Sequence, residues 1–174
     1  NNWQISGIAR FITGTPFGVG FGVNGIGNQN ITGSYTEPAR IVLSGNPLQG
    51  TTDSPYNRLN AGAFSLPAVG SIGLGAPVNY LSNPGINNFD LSLEKRFPVT
   101  ERSSLTFRAD AFNAFNHVQF TGINNNLNYS SLTSTTPNNL VYKPDGTLNN
   151  INGFGSVSGA RDPRIMQLAL RFEF

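Results

Sequence analysis

Between Asn88 and Ala111 apolar and polar residues alternate twice, with a proline between the two runs. In the first run Phe89, Leu91, Leu93 and Phe97 fall on one side and Asp90, Ser92, Glu94 and Arg96 on the other. That two-residue period belongs to a strand with one dry face. Lys95 alone interrupts the apolar side. Pro98 has no N–H to give to a ladder and, with Val99, Thr100, Glu101 and Arg102, marks a short connection; Leu105, Phe107, Ala109 and Ala111 then resume the alternation. The pattern predicts an antiparallel hairpin. A turn centred on Thr100 would oppose residues whose numbers sum to about 200. Leu93 would then face Phe107, Leu91 would face Ala109, Ser92 would face Arg108, and Asp90 would face Asp110, with Arg108 diagonal to both Asp90 and Glu94. A slip of one residue would carry Asp90, Glu94, Arg96, Arg108 and Asp110 to the apolar side, so the register is strongly specified.

Two further runs share the pattern. Trp3, Ile5, Gly7, Ala9 and Phe11 line one side near the beginning, and Met166, Leu168, Leu170, Phe172 and Phe174 alternate with Gln167, Ala169, Arg171 and Glu173 at the end. Strands are therefore expected at about 3–12, 88–97, 103–116 and 164–174, joined by long connections at about 13–87 and 117–163 that are rich in Gly, Asn, Pro and Ser. No convincing helix stands out. Within the second connection, Lys143-Pro144-Asp145-Gly146 has the chemistry of a hairpin tip between Leu140-Val141-Tyr142 and Thr147-Leu148. Gly20-Phe21-Gly22-Val23-Asn24-Gly25 has the spacing of a dinucleotide fingerprint, yet nothing after it looks like the helix start that would hold a pyrophosphate. It reads as a glycine-rich extended loop.

Composition narrows the function classes. Charged residues make up 11% of the 174, well below the roughly 25% of an average soluble domain. The net charge of +2, with no Lys/Arg run, argues against a nucleic-acid partner. With no cysteine there is neither a disulfide framework nor a thiolate metal site. His117 is the single histidine, which leaves no room for a catalytic triad or a histidine metal cluster; it reads as a polar residue at a strand end. Asp90, Glu94 and Asp110 could be paired carboxylates for acid/base work. Their strict alternation and their balance against Arg96 and Arg108, repeated by Arg171 and Glu173, favour a structural charge ladder instead. No catalysis and no cofactor are expected.

Alternation alone would suit a soluble sandwich as well as a membrane barrel. No apolar stretch reaches the roughly 18 residues of a membrane helix, but a barrel strand needs only about 9–11. The connections run long, short, long, as in outer-membrane barrels, where outer loops are long and periplasmic turns short. With the Pro98 turn on the periplasmic side, Trp3, Phe97, Phe172 and Phe174 fall at periplasmic strand ends and Phe11 and Phe89 near outer ends, the positions of two aromatic girdles. Lys95 then sits close to the inner interface, where a lipid-facing lysine costs only about 0–1 kcal/mol. Asp90, Glu94, Arg96, Arg108, Asp110, Arg171 and Glu173 would face the lumen. The chain opens on Asn1-Asn2-Trp3, almost inside a strand and with neither methionine nor signal peptide, so upstream sequence is expected. The expected fold is all-β, a fragment of an antiparallel transmembrane β-barrel of about four to six strands with long outer loops.

Asn88 to Phe97, Leu105 to His117, Arg161-Asp162-Pro163-Arg164 with Gln167, and the closing Leu170-Arg171-Phe172-Glu173-Phe174 resemble the C-terminal barrel region of TonB-dependent outer-membrane receptors of the Oar-like type. Gly14-Thr15-Pro16-Phe17 and Ala63-Phe64-Ser65-Leu66-Pro67 fit as well. The resemblance implies a larger barrel of roughly 22 strands around a plug, with the plug and the TonB-contacting segment outside this sequence. It implies energy-coupled uptake of a scarce ligand of unknown identity in the outer membrane. The implied partners are membrane lipid, the TonB complex through the missing N-terminal part, and barrel-assembly machinery that reads Leu170, Phe172 and Phe174. Two other classes remain: a secreted all-β adhesion or glycan-binding module, and an outer-membrane barrel enzyme whose only available base lies near His117.

Overall fold

A computed structural model describes residues 2–73 and 76–174, and strands dominate it. In chain order these are β1 (Trp3–Ile12), β2 (Pro16–Phe17), β3 (Gly20–Val23), β4 (Val42–Leu43), β5 (Phe64–Ser65), β6 (Leu81–Ser82), β7 (Ile86–Pro98), β8 (Ser104–Phe112), β9 (Phe120–Ile123), β10 (Asn126–Tyr129), β11 (Val157–Ala160) and β12 (Ile165–Glu173). Helix is confined to α1 (Asn28–Thr32) and a 3-10 turn at Ala61–Ala63. The chain separates into two units. One comprises Asn1–Gly14, Gly85–Phe120 and Ala160–Phe174, the other Thr15–Pro84 and Thr121–Gly159.

The first unit is a four-stranded antiparallel sheet in the order β1-β7-β8-β12. Its pairing joins the four apolar runs into one face: Ile5 opposes Leu93, Leu93 opposes Ala109, and Ala109 opposes Leu168. The other face carries Gln4 opposite Glu94 and Glu94 opposite Arg108. Among the described residues β1 and β12 each have a single partner, so the sheet has two open edges.

The hairpin register differs from the sequence expectation by two. Opposed residues sum to 202, so Leu93 faces Ala109 instead of Phe107, Leu91 faces Ala111 instead of Ala109, Ser92 faces Asp110 instead of Arg108, and Asp90 does not face Asp110. The turn centres on Glu101. Val99 and Thr100 donate their N–H groups to the Ser103 carbonyl at 2.9 and 3.1 Å, and the Thr100 hydroxyl accepts from the N–H groups of Arg102 and Ser103. Ser103 is thereby held in the turn. A shift of two keeps every side chain on its face, so the alternation could not have detected it. β8 ends at Phe112, short of the expected 116, because Asn113 and Asn116 take φ of 50° and 51°, left-handed values that a strand does not contain.

Burial in the sheet unit is inverted relative to a water-soluble core. Among the described residues its buried side chains are Ser104, Asn113 and Gln119, all polar, while Ile5, Met166, Leu168 and Leu170 are each more than 60% exposed. Every buried hydrophobic side chain among the described residues lies in the other unit.

That second unit, built from the segments expected as long loops, has strands and a core of its own. Ile41, Phe64, Leu127, Tyr129 and Phe154 build a core, with the Phe64 and Phe154 rings edge to face at 5.9 Å. The two connections hold each other: β3 pairs in parallel with β10, placing Gly20 and Gly22 opposite Asn126 and Asn128. A Cβ on Gly20 would stand 2.9 Å from Asn126 Oδ1, so glycine permits the approach. The Gly20–Gly25 stretch is thus a strand and a turn. One turn of helix, α1, follows it where the sequence indicated none, ended by Gly33 at φ 78°. The Lys143–Gly146 turn forms: Gly146 N–H donates to the Lys143 carbonyl at 2.9 Å and Tyr142 bridges antiparallel to Leu148.

Candidate functional site

The polar face of the sheet gathers the alternating charges. Glu94 lies opposite Arg108 and Ser92 opposite Asp110; across the next ladder Thr106 meets Arg171 and Ser104 meets Glu173. Arg108 Nε reaches Asp110 Oδ1 on its own strand at 3.0 Å, and Arg171 Nη2 reaches Glu173 Oε1 at 3.1 Å. Arg96 Nη2 stands 3.8 Å from Glu173 Oε2 and its Nε donates to Ser104 Oγ at 3.0 Å. Glu94, Arg96, Thr106, Arg108, Arg171 and Glu173 line a shallow groove of about 340 Å³. These pairs face solvent, where screening leaves an ion pair little net stabilisation, so the face fixes register and electrostatic character more than stability. Asp90 is not part of this network.

Asp90 belongs to a second cluster, at the end of the sheet away from Pro98. Its Oδ1 accepts from the Asn113 N–H at 2.9 Å and from Asn88 Nδ2 at 2.8 Å. Asn113 then spans the strand end: its Oδ1 accepts from the His117 N–H at 3.0 Å, and its Nδ2 donates to the carbonyls of His117 and Asp162. The Arg161 N–H donates to the Gln119 carbonyl, and the Arg164 N–H to Asn116 Oδ1. The segment entering β12 is therefore tied to the segment leaving β8. Between them lies a pocket of about 220 Å³, with Arg10, Asn88, Asp90, Gln119 and Arg161 in its wall. Gln119, 4% exposed, donates from Nε2 to Asn88 Oδ1, while its Oε1 is buried with no hydrogen-bond partner.

The aromatic residues fall at both ends of the apolar face. At the hairpin end Lys95 Nζ lies 4.7 Å from the Trp3 ring and 5.6 Å from Phe97, and Phe172 stacks on Phe174 at 6.0 Å. At the other end Phe11 packs edge-on to Phe89 at 5.5 Å, and Phe89 to Phe115 at 5.1 Å. Phe97 lies eight positions beyond Phe89, about 26 Å along a strand. Leu170, Phe172 and Phe174 share the apolar side of the closing segment, with Leu170 opposite Phe107 and Phe172 opposite Leu105.

Asn113, Gln119 and Phe115 were not singled out from the sequence. The signal available was the pair of asparagines three apart, Asn113 and Asn116, a residue type that tolerates the left-handed conformation where β8 stops. His117 contributes only backbone groups to the cluster's hydrogen bonds. Among the described residues no group of three or more His, Cys, Asp or Glu side chains could hold a metal ion.

The family described as outer membrane beta barrel domain has a model that matches residues 1–167. No curated protein and no solved structure matches the chain.

Proposed function

Given that this chain belongs to the outer membrane beta barrel domain family, we propose that it is part of the wall of a TonB-dependent receptor that takes up a scarce ligand by energy-coupled passage through the barrel. It is an outer-membrane, all-β protein, and its sheet carries one apolar and one polar face. The observation that carries the reading is the inverted burial of that sheet: polar Ser104, Asn113 and Gln119 inside, Ile5, Leu168 and Leu170 outside. An uncovered apolar face of this kind has lipid as its natural neighbour, and the charge ladder from Glu94 to Glu173 then faces the lumen.

Two open edges cannot persist in a bilayer, because unpaired N–H and C=O groups there cost several kcal/mol each. Further strands must close the sheet, which accords with a larger barrel that encloses a plug and couples to the TonB complex. The transported ligand would meet the pocket around Gln119 before the ladder. Membrane lipid and barrel-assembly machinery are the other partners of this reading, the latter through Leu170, Phe172 and Phe174. No catalytic group is assigned.

The test is genetic. A strain lacking the gene is compared with its parent for growth on limiting iron, carbon and nitrogen sources, with and without functional TonB. A TonB-dependent growth defect, restored by the full-length gene, is the expected result. Equal growth under every limitation, with the protein present in the parent's outer membrane, would overturn uptake.

A further inference from the structure

The pocket at the mouth end of the sheet is bipolar, and that property selects among ligands. Arg10 on β1 and Arg161 before β12 bring two guanidinium groups to it, and neither makes an ion pair among the described residues. Two carboxylates balance them. Asp90 has one oxygen engaged by Asn88 and Asn113, and the Asp162 side chain has no ion pair. A ligand that carries both signs of charge can engage both sets at once, whereas a simple anion would engage the guanidiniums alone and meet the carboxylates as like charges.

We infer that this pocket binds a zwitterionic ligand of the amino-acid or short-peptide class. The ligand carboxylate is taken by Arg10 and Arg161, and the ammonium group by Asp162. Arginine suits the first role because its planar fork matches a carboxylate two bonds at a time. At about 220 Å³ the pocket takes a small ligand or the end of a longer one. The inference rests on the uptake reading for its biological meaning, but the binding itself can be measured separately.

The experiment is isothermal titration of trialanine into the full-length protein in detergent micelles. Parallel titrations use N-acetylated trialanine, C-amidated trialanine and maltotriose, and the variants Arg10→Gln with Arg161→Gln, and Asp162→Asn. Heat-modifiable gel mobility verifies that each barrel is folded; Arg10, Arg161 and Asp162 are exposed, so their replacement spares the packing. Trialanine is expected to bind, with at least tenfold weaker binding after amidation or in the double arginine variant, and a comparable loss after acetylation or in Asp162→Asn. Absence of heat at millimolar trialanine with a folded barrel, equal affinity in the double arginine variant, or tighter binding of maltotriose overturns the proposal. TonB-dependent growth without trialanine binding overturns the pocket and keeps uptake. Trialanine binding without any TonB-dependent growth difference overturns uptake and keeps the pocket.

Discussion

The carboxylate of Asp90, in the middle of a strand, accepts a hydrogen bond at 2.9 Å from the backbone N–H of Asn113, the first residue past the end of the next strand. This contact places Asp90 in the mouth cluster instead of the charge ladder. It also explains where β8 stops, because Asn113 turns left-handed and uses its side chain to hold His117 and Asp162.

Asn113→Ala removes these side-chain bonds and places a residue with no local hydrogen bond in the left-handed region. A loss of about 1–3 kcal/mol is expected from the side-chain bonds lost at this buried position and from the strained backbone. The measurement is the temperature at which the folded barrel loses its heat-modifiable gel mobility. Asn113→Gly, which relieves the backbone but not the lost bonds, should fall between the two. An Asn113→Ala barrel as stable as wild type would remove the cluster's structural role.

Charge introduced on the apolar face should cost according to depth. Leu168→Arg, in the middle of β12, is expected to destabilise the barrel in phospholipid vesicles by about 2–4 kcal/mol, and Phe172→Arg, near the end, by about 0–1 kcal/mol. Gln167→Arg, on the polar face beside Asp110, should change little. Reversible urea unfolding in vesicles reads all three. If Gln167→Arg were the most damaging, the assignment of faces would be inverted.

Trp3 is the only tryptophan in these 174 residues, and the Lys95 ammonium sits 4.7 Å from its ring. An aromatic girdle position predicts stronger quenching of this fluorophore by lipids brominated near the headgroup than by lipids brominated near the acyl-chain end. A variant of the full protein retaining Trp3 alone is the sample. Maximal quenching from the bilayer centre would place the hairpin end of β1 too deep for a girdle.

The Lys143–Gly146 turn offers a pH probe outside the sheet. The Asp145 carboxylate accepts from the Thr147 hydroxyl at 2.6 Å and the Thr147 N–H at 2.9 Å, and these bonds hold its pKa below the usual carboxylate range. A depressed folded-state pKa means the contribution is present above the unfolded-state pKa and is lost as pH falls through the lower, folded value. Exchange protection of the Thr147 amide should therefore persist below the ordinary aspartate range and disappear on further acidification. Asp145→Asn should flatten this dependence. Gly146→Ala, at φ 82°, should cost about 1 kcal/mol in the hairpin.

The two-residue period dictated which side chains share a face, and it did so for all four strands because lipid and water demand opposite chemistry on opposite sides of one sheet. It could not count across the turn. A shift of two residues preserves every face, and the Thr100 hydroxyl selected the register through contacts with Arg102 and Ser103. The long connections were opaque for a related reason. Ile41 lies outside any strand, and Leu127 and Tyr129 alternate only within the four residues of β10, too short a run to stand out, while β10 pairs with β3 more than a hundred residues away.

Sequence by itself thus determined an all-β chain, the two faces of its sheet and the ends where its aromatics gather, because these follow from local alternation and from the chemistry of single residues. Only the tertiary structure decided which charges meet, that the two long connections share one core, and that Arg10, Asp90, Gln119 and Arg161 surround a single pocket. Those outcomes depend on pairings between segments far apart in the chain, whose geometry no periodicity within either segment records.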